Sequence, residues 1–225
     1  VKGDYYISDV EAANLAKIDA AGFDKFIVIL NAGTAVDTSF INDYQNIDAL
    51  VFAWLPGLEG GNALADILCG EVNPSGKLVD TLAKSFDDYP SSKSFYESNA
   101  YVNYSEDIYV GYRYFETFDP KYEKVNYCFG YGMSYTDFEF SGDSMTIDGE
   151  NIKVSVNVKN TGKVAGKEVV QVYYSAPQGV LGNPSKELAG YAKTSLLAPG
   201  KTETVTVTFP INDMASFDDL GKTGN

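Results

Sequence analysis

Any proton-transfer chemistry in this chain must do without histidine, because none occurs among its 225 residues. That excludes Ser-His-Asp and Cys-His nucleophile systems and nearly all His-based zinc and iron sites. Carboxylates, tyrosines, lysines and two thiols remain for acid–base work. Cys69 and Cys128 have neither metal-type nor redox-type spacing, so buried free thiols are expected, with one disulfide as the alternative. The most pointed segment is Pro56-Gly57-Leu58-Glu59-Gly60-Gly61-Asn62, between an apolar run and a helical pattern. Ligands of open α/β sheets bind at such strand-to-helix loops, where glycines permit close approach and a helix N-terminus favours anions or hydroxyls. The same residues also read as a tight turn with Glu59 solvated or facing the helix dipole. The pattern is neither GxGxxG nor a P-loop, so no dinucleotide or ATP is implied.

Three further segments invite chemistry and have plainer readings. Asn73-Pro74-Ser75-Gly76-Lys77 reads as a turn with Pro second and Gly at positive φ. Tyr109 to Phe115 reads as an aromatic strand carrying Arg113, a guanidinium expected to be fixed by a carboxylate or by backbone carbonyls. Asn103-Tyr104-Ser105 fits the glycosylation tripeptide, a pattern that recurs by chance.

The elements that must position these residues change character along the chain. Residues 1–85 alternate helix and strand. Ser8-Asp9-Val10-Glu11 is a capping box, and the spacing of Val10, Ala13, Leu15, Ile18 and Ala21 predicts a helix ending at Gly22. Phe26–Leu30 and Ala49–Leu55 are continuous apolar runs, expected as strands buried on both faces. A short helix over Thr38–Tyr44 lies between them and another over Asn62–Cys69 follows, which makes a parallel β-α-β unit. Residues 86–135 are irregular but hold most of the 17 tyrosines, so an ordered, aromatic-rich connector is expected rather than disorder. From 136 to 225 the texture is all β. Ile152–Val158 alternates with period two, and Val169–Tyr174, Glu187–Leu197 and Thr204–Phe209 follow at the spacing of an immunoglobulin or fibronectin type III sandwich. About five strands are expected where seven are usual, with no closing strand before Gly224-Asn225.

Charge and hydropathy narrow the partners. With 17 basic against 31 acidic residues the net charge is −14, and no basic cluster exists to release counterions from a phosphate backbone. Nucleic acid and membrane are therefore not expected partners, and no apolar run approaches a membrane span. The first residues lack a leader's basic-then-apolar layout, and the acidic, disulfide-poor chain leans towards a bacterial cytoplasm.

Together these blocks resemble glycoside hydrolase family 3. Leu55 to Leu68, Gly70 and Asn73–Leu78 resemble its C-terminal α/β sandwich domain, and Phe129-Gly130-Tyr131-Gly132-Met133-Ser134-Tyr135-Thr136 resembles the passage into its fibronectin type III-like domain. Val158–Gly162, Gly166–Tyr173, Lys186–Tyr191 and Leu197–Gly200 are similar to that second domain. The resemblance implies a retaining, exo-acting β-glycosidase, β-glucosidase-like, that hydrolyses terminal β-D-glucosyl residues of oligosaccharides or glucosides with two carboxylates and no cofactor or metal. It also implies that both carboxylates lie outside this chain. The nucleophilic Asp belongs to a (β/α)8 barrel domain, a missing partner of the same protein. The acid/base Glu belongs to a glycine-flanked segment just ahead of the first helix, and Gly3-Asp4-Tyr5-Tyr6 resembles the tail of that segment. Glu11 and Glu59 are not assigned to either role. Met214–Asp219 and Gly221–Asn225 resemble family members in which the barrel follows the sandwich domains. The alternative is a stand-alone carbohydrate-binding or scaffolding module with residues 89–135 as its sugar platform.

Overall fold

A computed structural model describes residues 5–219 and 221; Gly3-Asp4 and Lys222–Asn225 lie outside the described residues. The chain divides into two compact units, 1–71 with 79–107 and 121–129, and 72–78 with 108–120 and 130–225.

The first unit is mixed α/β. Helix α1 (Asp9–Ala21) starts at a complete capping box and stops at Gly22, which takes the left-handed conformation at φ 69°. Strands β1 (Ile27–Leu30) and β2 (Ala49–Phe52) pair in parallel, Ile27 opposite Ala49 and Leu30 opposite Phe52. The intervening Thr38–Tyr44 segment holds a 3-10 turn over Ser39–Asp43 whose Phe40 is buried. Helix α2 (Gly60–Leu68) begins two residues earlier than its apolar pattern suggests. Strands β3 (Leu82–Ala83) and β4 (Val125–Tyr127) pair antiparallel, with Leu82, Ala83 and Val125 buried. One expectation fails here. β1 and β2 are not buried on both faces, since Ile27 and Ile29 are more than a third exposed. The pair forms a two-stranded sheet, so each strand has one open edge and few neighbours to cover it.

The second unit is the sandwich. One sheet orders β5 (Phe138–Asp148), β6 (Asn151–Asn160) and β9 (Thr202–Pro210); the other pairs β7 (Val169–Tyr174) with β8 (Glu187–Lys193), all antiparallel. β9 alternates strictly, Val205, Val207 and Phe209 buried and Thr204, Thr206 and Thr208 exposed. Those residues join Ile152, Val156, Val158, Val170 and Leu197 in one core. Burying each such side chain is worth about 1.5–3 kcal/mol.

Two further expectations are corrected. The aromatic strand over Tyr109–Phe115 is instead helix α3 (Tyr112–Phe118). Gly111 at φ 59° breaks any extended run, Phe115 is buried, and Thr117 Oγ1 donates to the Arg113 carbonyl 2.6 Å away. Tertiary burial of one face overrides the β preference of the aromatics. Residues 73–77 are not a turn with Gly76 at positive φ. They run past Gly132, where a Cβ would lie 2.3 Å from the Gly76 carbonyl oxygen. Asn73 holds the segment there, its Nδ2 donating to the Ala165 carbonyl at 3.1 Å and its Oδ1 accepting from the Tyr135 amide at 2.8 Å.

Candidate functional site

In an open α/β sheet the place to look is beyond the carboxyl ends of the parallel strands. Two loops leave there, 31–38 after β1 and 53–59 after β2. Ala53 extends the ladder by donating its amide to the Leu30 carbonyl at 2.9 Å, and the chain then turns sharply. Trp54 sits at φ 52°, a left-handed conformation that costs a non-glycine residue about 1 kcal/mol or more, and its ring centroid lies 5.6 Å from that of Phe52. Gly33 lets the loops meet, since a Cβ there would be 2.9 Å from Leu55 Cδ1.

The glycines of Pro56–Asn62 are explained by packing. Gly57 has φ 74°, and a Cβ on Gly60 would fall 2.5 Å from Pro56 Cγ. Glu59 caps no helix amide with its side chain and instead accepts from Asn62 Nδ2 at 2.7 Å. Leu58 is fully exposed and Leu55 largely so.

The first loop ends in a buried polar pair that sequence reasoning missed. Asp37 and Thr38 are both buried. Asp37 Oδ1 accepts from the Ser39 amide at 3.0 Å, and Thr38 Oγ1 accepts from Asn126 Nδ2 at 2.6 Å. The Asp37 amide donates to the Tyr5 carbonyl at 2.8 Å. The Tyr5 ring meets Phe86 and Tyr89 edge-on, with centroids 5.3 and 6.2 Å away. Tyr89 is itself tied down: its hydroxyl accepts from the Ala83 amide at 3.0 Å and donates to the Thr81 carbonyl at 3.2 Å. Burial pushes the Tyr5 hydroxyl above its ordinary range, and Tyr89 and Asp37 add to the shift. Burial raises Tyr89 as well, so both phenols stay neutral. The contacts of this cluster hold the Tyr5 stretch of chain against the loop that follows β1.

The other residues singled out in the sequence are accounted for without catalysis. The Ser8 amide and Oγ both donate to Glu11, at 2.7 Å each, and hold its carboxyl below the usual carboxylate range. A general acid needs the opposite shift. Arg113 pairs with Glu187 at 3.3 Å, as a carboxylate-fixed guanidinium should, and Glu187 also accepts from the Tyr174 hydroxyl at 3.1 Å. Both partners belong to the second unit. Asn103 donates to Glu97 at 2.9 Å, and neighbouring Tyr104 is exposed. Both cysteines are free thiols, but neither is buried as expected: Cys128 is half-buried, and Cys69 is exposed where it caps the last turn of α2 and the chain leaves the helix. Among the described residues no group of three metal-ligating side chains converges. The signal that could have revealed the buried pair is local: an Asp-Thr-Ser run closing the loop after β1, at the start of a short 3-10 turn.

Comparison with known proteins places these features. Residues 3–135 match the glycosyl hydrolase family 3 C-terminal domain, and residues 168–223 match a fibronectin type III-like domain. Over 98% of its length the chain is 49% identical to beta-glucosidase A of Butyrivibrio fibrisolvens, and over 99% it is 44% identical to a beta-glucosidase of Ruminococcus albus. It spans 28% and 23% of those relatives, about a quarter of each. The crystal structure of a beta-glucosidase from Paenibacillus barengoltzii superposes with a TM-score of 0.92 at 46% identity, covering 100% of this chain and 24% of that one. Beta-glucosidase 3B from Thermotoga neapolitana, solved with glucose, gives 0.88 at 42% identity, covering 97% and 31%. With the α/β domain matched along more than half of the chain and the fibronectin-like sandwich after it, the chain belongs to glycosyl hydrolase family 3.

Proposed function

We propose that this chain is the non-barrel portion of a retaining, exo-acting β-glucosidase that removes terminal β-D-glucosyl residues from oligosaccharides or glucosides. The observation that carries the reading is continuous similarity, from one end of the chain to the other, to relatives that are beta-glucosidases. Both catalytic carboxylates belong to other parts of the protein: the nucleophilic Asp to a (β/α)8 barrel, and the acid/base Glu to the segment that leads into Tyr5. The state of the local carboxylates supports this. Glu11 serves its own helix cap and Glu59 its neighbour Asn62. A retaining mechanism needs two carboxyl groups about 5–5.5 Å apart, one of them protonated at rest.

Within the chain we assign the α/β domain to residues 1–85, an aromatic-rich connector to 86–135 and the fibronectin-like domain to 136–225. The connector's 86–107 and 121–129 belong to the first compact unit and its 108–120 and 130–135 to the second, which supports a connector rather than a third domain. The experiment is direct. The isolated 225-residue chain is incubated with an aryl β-glucoside and should release no aglycone above buffer. Turnover within about tenfold of an intact family enzyme overturns the placement of the carboxylates. Sub-millimolar binding of gluco-oligosaccharides by the isolated chain in calorimetry favours a stand-alone carbohydrate-binding module instead.

A further inference from the structure

We infer that Tyr5 is a positioning residue for the general acid of the proposed glycosidase. The inference rests on that reading, in which the acid/base Glu lies on the segment entering Tyr5.

The geometry comes from two anchors close together in the chain. At Ser8 the capping box fixes the start of α1, with reciprocal bonds between Ser8 and Glu11. At Tyr5 the carbonyl accepts from the buried Asp37 amide at 2.8 Å, which pins the chain to the loop at the carboxyl end of β1. The Tyr5 side chain makes the anchor specific. Its ring packs edge-on against Tyr6 at 5.0 Å, Phe86 at 5.3 Å and Tyr89 at 6.2 Å. Two walls of this socket have contacts of their own. Phe86 packs on Phe95 at 5.9 Å, and Tyr89 is bonded to both Thr81 and Ala83. Asp37 and Thr38 are tied to Ser39 and Asn126. Tyr5 is therefore gripped by Tyr89 and by the Asp37 loop, both of which are themselves hydrogen-bonded. Tyr5 itself is thus a fixed point on the side of the sheet where ligands bind.

The socket contacts are made by the Tyr5 ring, and its buried hydroxyl donates to no described group, so the ring should matter and the hydroxyl should not. The step at stake is glycosylation. The acid's proton passes to the departing glycosidic oxygen as the C1–O bond breaks, while the nucleophilic carboxylate bonds to C1. A leaving group that is already a stable anion does not need that proton; an alkoxide does. Loosening the acid's anchor therefore slows the two substrate classes unequally. Misplacement by about 1 Å costs about 100-fold.

The test uses the intact enzyme that carries this chain, in wild-type, Tyr5→Phe, Tyr5→Leu and Tyr5→Ala forms. kcat/KM, which reports glycosylation, is measured on cellobiose and on 2,4-dinitrophenyl β-glucoside across pH. Tyr5→Ala should lose about 10- to 100-fold on cellobiose and less than about threefold on the activated glucoside, with the basic limb of the cellobiose pH profile displaced. Tyr5→Phe should keep both within about threefold of wild type. If Tyr5→Ala does not fold, Tyr5→Leu, which half-fills the socket, carries the same comparison in the same direction. Equal losses on both substrates, or an unchanged ratio, overturn the positioning role while leaving the glycosidase reading intact. A wild-type enzyme that cleaves neither substrate overturns both.

Discussion

Asn160 is the residue whose removal the structure prices most clearly. It is wholly buried, at 0% exposure, at the end of β6. Its Oδ1 accepts from Thr136 Oγ1 at 2.8 Å and from the Gly162 amide at 3.1 Å. Its Nδ2 donates to the carbonyls of Val164 and Leu197, each at 2.8 Å. All four bonds lie within the sandwich, and each is worth about 1 kcal/mol net, with a further penalty where a buried partner is left unpaired. Asn160→Ala should therefore cost about 3–5 kcal/mol, a large part of a domain's stability. Asn160→Asp tests the same geometry by pH. The new carboxyl would face two carbonyls in a buried site, so its folded pKa must rise above the unfolded value of about 3.9. A raised folded pKa on an acid means that the folded state holds the proton longer. Stability is then greatest below about pH 3.9 and falls as pH rises towards the folded pKa, after which it levels off. Urea unfolding followed by circular dichroism at several pH values measures both. A loss under about 1 kcal/mol for Asn160→Ala refutes the four-bond account, and so does a pH-independent penalty for Asn160→Asp.

The remaining predictions read other parts of the fold. Ser8→Ala should cost about 1 kcal/mol of local α1 stability, seen as faster amide exchange in its first turn. Glu11's support, from a depressed folded pKa, is present above about pH 4.3 and fades as pH falls below it. Gly132→Ala drives a Cβ to 2.3 Å from the Gly76 carbonyl and should lower stability by about 2 kcal/mol or more, read as a thermal shift. Gly57→Ala, with open space around it but φ 74°, should cost only about 1 kcal/mol by the same assay. Lys77→Met strands Glu168, its ion-pair partner at 3.0 Å with both side chains less than a fifth exposed, and should cost about 1–3 kcal/mol. Lys77→Met with Glu168→Leu should recover part of that loss in a double-mutant cycle.

Local chemistry was the readable part of this sequence. The α1 boundaries follow from Ser8, Glu11 and Gly22, because a cap and a left-handed glycine act within a few residues. The sandwich was legible where one face is wet, as in β6 and β9, since strict alternation needs only a core on one side. β5 gave no such signal. Ser141, Gly142, Asp143 and Ser144 interrupt its apolar residues, and the register shifts there, with Gly142 at φ 63°. α3 was misread because aromatics favour strands until a buried contact such as that of Phe115 decides otherwise. The Tyr5–Asp37–Tyr89 cluster was invisible for a different reason. Its members are far apart in sequence, and no local pattern announces which tyrosine meets which aspartate. Fold class came from periodicity; the cluster required tertiary structure.

The Asn73–Lys77 segment, read from sequence as a turn, joins distant stretches of chain instead. Asn73 bonds to Ser134, Tyr135 and Ala165, and Lys77 to Gly132 and Glu168. Leu78 then exchanges backbone bonds with the Gly130–Tyr131 stretch, its amide donating to Tyr131 and its carbonyl accepting from Gly130. Two sequence blocks about 55 residues apart thus form one interlocked strap inside the second unit. That use consumes the donors and acceptors a substrate would otherwise need. Asn, Lys, Ser and Gly at these positions are demanded by backbone carbonyls and close approach, not by a sugar. The same logic separates Tyr5 from the rest. Its partners fix the chain at the carboxyl end of β1, where the sheet offers a ligand face, whereas the strap lies wholly within the sandwich unit. If the chain contributes to catalysis through any of its own residues, the contribution should enter at that anchor.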